Sequence, residues 1–311
     1  MRRLSLRLVE ASRLGCFALR NLTFRMQTTS CKGVDMAYGK TIEMFLVDGT
    51  ADGIVTAELS NWNGKAIRLP RTEVLDCQRQ DIQGVGIYFL FSKADDGADA
   101  VYVGEAENIL KRLKQHLADF QSGKEGYYWT TAVAFVGRDL NKALIRYLEN
   151  RLVEEVKACG RERVLTKATY NTVLKESEIA SMEEFIDNIK VLISALGHKT
   201  LTPVPKATDS TTYLYCKSGS ADGKGFVTAS GFTVAAGSVV SDHVVPSMKT
   251  RGKSYFELRV RLEEDGVIAD RVFQRDYEFS APSAASAVIL GRTSNGNADW
   301  KTSSGVKLGN L

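Results

Sequence analysis

Two phenols, a guanidinium, an imidazole and a carboxylate follow one another along this chain as Tyr88, Tyr102, Arg112, His116 and Glu149. Between them they carry what phosphodiester hydrolysis needs. A base must activate water, positive charge must meet the developing anion, and something must help the leaving oxygen depart. Arg112 offers a phosphate a planar, permanently charged fork. Glu149 offers an oxygen ligand to one Mg²⁺ or Mn²⁺, with water filling the rest of the shell. A phenol is an awkward base: at a pKa of about 10, only about one in a thousand is ionised at neutral pH. His116, four residues beyond Arg112, can orient a phenol or relay its proton.

Each side chain also has an ordinary structural use. The tyrosines can be strand aromatics, and Arg112 with Lys111 and Lys114 can be a solvated helix face. His116 can end a helix in water, and Glu149 can pair with Arg146 or Lys142 at helical spacing. The elements must therefore bring them together. Gly86-Ile87-Tyr88 and Tyr102-Val103-Gly104 read as two strands separated by a turn, and Glu107–Phe120 as a helix with Arg112 and His116 on one face. Trp129–Val136 reads as a third strand. Asp139 is placed to cap the next helix, whose stripe is Leu140, Leu144, Leu148, Leu152 and Val156. Glu149 falls at the border of that apolar arc. Met182–Leu196 reads as a third helix, with Gly197 at its end. These elements make residues 82–196 a central α/β block.

The flanks differ in character. Residues 38–76 read as a small antiparallel β unit of about three strands, too small to stand without a neighbour. Residues 197–212 are rich in Thr and Pro and read as a linker. Residues 213–311 read as a separate α+β module, with strands at Tyr213–Lys217, Gly225–Thr228 and Gly231–Ala235. A short helix runs there from Pro282 to Gly291. In residues 1–35, seven basic residues (Arg2, Arg3, Arg7, Arg13, Arg20, Arg25 and Lys32) face only Glu10 and Asp35. That stretch reads as a disordered extension, suited either to organelle targeting or to translation from upstream of a start at Met26 or Met36.

The chain of 311 residues carries a net charge of +4, too small a bias to argue nucleic-acid binding by itself. Its five cysteines are dispersed, which speaks against a disulfide framework and for a reducing, cytoplasmic setting. No apolar run approaches the roughly 20 residues of a membrane span.

Taken in order and register, residues 84–175 resemble the GIY-YIG nuclease family. Gly86-Ile87-Tyr88 and Tyr102-Val103-Gly104 stand as its name-giving tripeptides, with valine at 103 as the departure. Arg112, His116 and Glu149 match its helix arginine, its histidine and its metal-binding glutamate, and Asn171 falls where the family keeps an asparagine. The resemblance implies an α+β fold with a small three-stranded antiparallel sheet flanked by helices. It also implies an endonuclease that cleaves DNA, with RNA left open, using Mg²⁺ or Mn²⁺. Tyr88 would be the general base, assisted by Tyr102 and His116. Arg112 would steady the phosphate, Glu149 would hold the metal, and Asn171 would stiffen the site. Lys111, Arg112, Lys114 and Lys124, with Arg251 and Lys253 further on, would meet the backbone phosphates. The alternative is a binding module that keeps the fold with little catalysis. Tyr277–Ala285 and the stretch from Gly291 to Lys301 resemble a domain of uncharacterised role, found in proteins linked to nucleic-acid modification and restriction.

Overall fold

The computed structural model describes residues 39–93, 99–167 and 172–311. The basic extension over residues 1–35 and Asn171 lie outside them. The first part runs β1 (Ile42–Leu46), β2 (Val55–Leu59), β3 (Gly64–Pro70), β4 (Gly86–Lys93), β5 (Asp99–Ala106), α1 (Ile109–Gln121), β6 (Trp129–Gly137), α2 (Lys142–Cys159), β7 (Arg163–Val164) and α3 (Glu176–Ala195).

Strand β4 is buried from Gly86 to Ser92, the mark of a strand covered on both faces. Its even positions, Tyr88 and Leu90, pack with Ile109, Leu110, Leu113 and Leu117 of α1. Its odd positions, Ile87, Phe89 and Phe91, pack with Leu148 and Leu152 of α2 and Phe185 and Ile189 of α3. Thus α1 covers one face of the sheet, and α2 and α3 cover the other.

The fold is mixed α and β, but the sheet is larger than three strands. Its order is β1-β2-β3-β6-β4-β5-β7, seven strands in all, antiparallel except where β7 joins β5. The expected trio β6-β4-β5 lies within it, with three strands beyond β6 and one beyond β5. The expected separate β unit extends it through β1–β3, because β3 pairs with β6 from Gly64↔Gly137 to Pro70↔Thr131. The physical reason is that β6 would otherwise expose a row of unpaired backbone groups beside a buried apolar face. Val55, Ala57, Leu59 and Ala66 complete that face.

Helix starts also differ from expectation. Asn141, not Asp139, caps α2, accepting from the N–H groups of Ala143 and Leu144 at 2.9 and 3.1 Å. Asp139 lies two residues too early and accepts instead from Asn63. Asn108 caps α1 in the same way, at 2.9 Å from Lys111 N.

The remainder runs β8 (Leu214–Ser218), β9 (Ala221–Thr228), β10 (Gly231–Val234), α4 (Pro246–Thr250), α5 (Lys253–Glu264), β11 (Ile268–Ala269), β12 (Val272–Phe273), β13 (Tyr277–Phe279), α6 (Pro282–Leu290) and α7 (Gly296–Asp299). A four-stranded sheet, β13-β10-β9-β8, packs beneath the apolar α6, with Trp300 donating to the Pro282 carbonyl at 3.0 Å. Gly291, at φ 65°, ends α6 in the left-handed conformation that glycine adopts without strain. Residues 197–212 hold no regular element, yet they are not a free linker. Thr200 and Leu201 are buried, and the His198 ring stacks on Phe91 with centroids 3.6 Å apart. Residues Lys40–Leu311 form one compact unit. Among the described residues no helix is long and apolar enough to cross a membrane.

Candidate active site

Both glycines of the paired tripeptides are explained by space. Tyr88 sits opposite Gly104 in the β4–β5 ladder, and its ring leans across that glycine. A Cβ at position 104 would stand 2.5 Å from the Tyr88 hydroxyl and 2.7 Å from Cε1 of Tyr102. At Gly86 a Cβ would run into the Phe135 carbonyl oxygen and Ile109. The glycines are thus the room the phenols and the strand pairing require.

Helix α1 lays His116 over this face. The imidazole is fully buried and meets both phenols edge-on, with centroids 5.6 Å from Tyr88 and 5.2 Å from Tyr102. Nε2 is 2.9 Å from the Tyr88 hydroxyl, and Nδ1 is 2.7 and 2.9 Å from the two carboxylate oxygens of Glu125. A carboxylate only accepts, so Nδ1 carries the proton and Nε2 receives the Tyr88 O–H. Glu125, His116 and Tyr88 form one hydrogen-bonded chain.

Sequence reasoning missed Glu125, which lies in the turn between Gly123 and Gly126. The turn folds back on α1 because Gly123 takes φ 75° and the N–H groups of Lys124 and Glu125 both reach the Asp119 carbonyl. Arg71 pins its far end, its guanidinium lying 4.8, 4.4 and 4.9 Å from the rings of Phe120, Tyr128 and Trp129. Tyr127, on the same turn, stacks on Tyr102 at 6.0 Å and extends the row of phenols. No local motif announces either residue; the only signal was a carboxylate in a short loop just beyond a histidine-bearing helix.

Burial drives the Tyr88 phenol well above its usual range, and Tyr102 adds to this, while the facing Arg112 guanidinium favours the phenolate. Burial pushes His116 below the ordinary imidazole range, against the hold of Glu125. The ring is therefore neutral at pH 7 and able to accept a proton. For Arg112, burial works against the charge, but the two phenols more than offset it. Its side chain is 36 % exposed, and the guanidinium lies 3.9 Å from Asp119.

Glu149 arrives from the other face of the sheet, around the β5 edge. Strand β7 pairs β5 only at Ala100 and Val101, and Thr166 covers Val103, accepting from its N–H at 2.9 Å. The next outward backbone N–H, that of Glu105, attracts the Glu149 carboxyl. Glu149 thus stands beside the residue that follows Gly104. It is 7 % exposed, and burial with repulsion from Glu105 pushes its carboxyl up to about 7. The Glu105 carboxylate is itself held by Lys142 Nζ at 2.8 and 2.9 Å.

Among the described residues no group of three or more His, Cys, Asp or Glu side chains is placed to hold a metal. A single Mg²⁺ or Mn²⁺ still fits Glu149, because such ions keep several waters and need only one or two carboxylates. A carboxyl pushed up to about 7 is short of positive charge, which is what a divalent cation supplies.

The structure therefore brings Tyr88, Tyr102, Arg112 and His116 onto one face, and places Glu149 beside the Glu105 backbone at the β5 edge. Asn171 lies outside the described residues. Lys111 and Lys124 are exposed on the same helix and turn, and Lys114 is half-buried. Residues 214–311 match a family described as "Domain of unknown function (DUF4357)". No curated protein and no solved structure matches the chain.

Proposed function

We propose that the chain is an endonuclease of the GIY-YIG type, hydrolysing phosphodiester bonds in DNA with one divalent metal. What supports this most is the chain from Glu125 through His116 to Tyr88 with Arg112 alongside. A phenol this deeply buried cannot wait as a free phenolate. It can act as a base only if its own proton leaves as it takes one from water. His116 Nε2 is placed to receive that proton, and Glu125 steadies the imidazolium that forms. Tyr102 packs against the ring edge and holds its angle. Arg112 meets the phosphate and favours negative charge on Tyr88. A Mg²⁺ or Mn²⁺ on Glu149 would offset the charge that develops on the phosphate and leaving oxygen. Lys111 and Lys114 on α1 and Lys124 on the turn beyond it are near in sequence to Arg112 and suit a polyanionic substrate.

The reading is tested by nicking of supercoiled plasmid with Mg²⁺ or Mn²⁺. Cleavage by the parent chain is expected, with abolition in Glu149→Ala and in Arg112→Ala. Robust cleavage surviving both changes would falsify the site assignment. One observation favours a second reading, a binding module with little catalysis: burial holds the Tyr88 phenol well above its usual range, which disfavours it as a base. On that reading DNA binding falls steeply with salt while cleavage stays at background with every divalent metal.

A further inference from the structure

A second concave site lies away from these residues, where the C-terminal end of α2 and β7 face α5 and the β12–β13 connection across a cleft of about 620 Å³. Two ion pairs tie its walls together: Arg161 to Glu278 at 2.7 Å and Arg163 to Asp265 at 2.9 Å. Those pairs occupy two of the acidic groups of the lining. Lys157, Lys199, Arg261 and Arg275 also line the cleft, and none makes a side-chain ion pair or hydrogen bond among the described residues. The Arg275 guanidinium lies over the left-handed Gly160 turn, and the Arg261 Nε is buried without a partner. Asp99 and Glu162 are the remaining acids of the lining, so six cationic side chains face four carboxyl groups and the concavity keeps a positive excess that attracts an anion.

The lining asks for more than an anion. Glu162 has one carboxylate oxygen buried with no hydrogen-bond partner, so a ligand with an N–H or O–H donor set apart from its phosphate would satisfy it. Burial, with the Asp99 carboxylate nearby, pushes that carboxyl up to about 7 against the pull of Thr200 and Arg161. The ring of Tyr277, set edge-on to Phe279 at 4.8 Å, and the side chains of Leu258 and Val267 give the cleft an apolar wall. The volume lies within the roughly 300–1,000 Å³ of small-molecule pockets.

We propose that this cleft binds a nucleoside phosphate, either a free nucleotide or the terminal nucleotide of a strand. The phosphate meets Arg261 and Arg275, a base or sugar donor reaches Glu162, and the ring system lies against the Tyr277 wall. The site shares no residue with the candidate active site, so it stands whether or not the chain cleaves DNA.

Calorimetry on the full chain tests this, with adenosine and guanosine 5′-monophosphate, inorganic phosphate and a 5′-phosphorylated oligonucleotide as probes. A nucleotide or the oligonucleotide is expected to bind at least tenfold tighter than inorganic phosphate. Binding by the mononucleotides identifies a free nucleotide, and binding by the oligonucleotide alone identifies a strand end. Replacing Arg261 and Arg275 together by Gln should weaken binding at least tenfold. Replacing the exposed Lys157 and Lys199 by Gln, which leaves the packing alone, should weaken it severalfold. Glu162→Gln should narrow the preference over phosphate. Glu149→Ala should bind as the parent does while losing any cleavage, which separates this site from the nuclease reading. Failure of every probe to bind, equal affinity for inorganic phosphate, or binding unchanged in both cation variants overturns the proposal.

Discussion

Substituting Gly104 by Ala tests the candidate site through a residue that does no chemistry itself. The added Cβ would lie 2.5 Å from the Tyr88 hydroxyl oxygen, 2.6 Å from Cζ and 2.7 Å from Cε1 of Tyr102. Ordinary contact needs about 3.5–4.0 Å, so one ring or the backbone must move by about 1 Å. Tyr88 is fully enclosed, and its hydroxyl stands 2.9 Å from His116 Nε2. A shift of that size stretches the bond beyond useful length. Misplacement by about 1 Å costs roughly 100-fold in rate, and overpacking costs about 1–3 kcal/mol of stability. The expected result is a folded protein with a modestly lowered melting temperature and plasmid nicking reduced about 100-fold. Gly84→Ala is the control, because a Cβ there meets nothing within 4 Å and the backbone is extended. Parent activity in Gly104→Ala, or a loss no larger than the loss of folded protein, refutes the reasoning about Tyr88.

Glu125→Gln should lower kcat about 100-fold with little change in KM. Since Glu125 holds the His116 pKa up against burial, the acid limb of the pH–rate profile should also move to lower pH. An unshifted limb with full kcat would show that His116 takes no part. Glu149 is held up to about 7 from a usual 4.5, so the folded chain keeps a proton that the unfolded chain has lost between those values. Stability from this group therefore falls as pH rises through that window. At pH 8, Glu149→Gln should be more stable than the parent, by up to about 3 kcal/mol, yet inactive. Mg²⁺ should raise the melting temperature of the parent and not of this variant. His198 runs the other way: burial against Phe91 holds its imidazole down at about 4, from a usual 6.5. The unfolded chain takes up that proton first, so stability should fall as pH drops from 6.5 towards 4. His198→Phe should flatten that fall in urea titrations.

The candidate site also separates two uses of burial. At His116 it keeps the ring neutral and able to accept a proton, while at Glu149 it leaves a carboxyl that a cation can satisfy. Neither effect belongs to the residue type. Each follows from which face of the sheet the side chain reaches.

By itself the sequence determined what local rules govern. The two tripeptide-bearing segments around Tyr88 and Tyr102, parted by a turn, set two strands, and the four-residue step from Arg112 to His116 set their shared helix face. The stripe from Leu144 to Val156 fixed which side of α2 is buried and left Glu149 at its border. Proline and glycine bracketed α6. Tertiary structure decided what depends on partners distant in sequence. The joining of β1–β3 to β6 rests on backbone pairing between Gly64–Pro70 and Thr131–Gly137, which no local pattern encodes. The same holds for the packing of Leu201 and His198 in the presumed linker. Glu125 reached His116 only because a glycine turned the chain back on its own helix. Side-chain type and period are written residue by residue. Proximity across a turn, around a sheet edge or between two modules exists only once the chain has closed on itself.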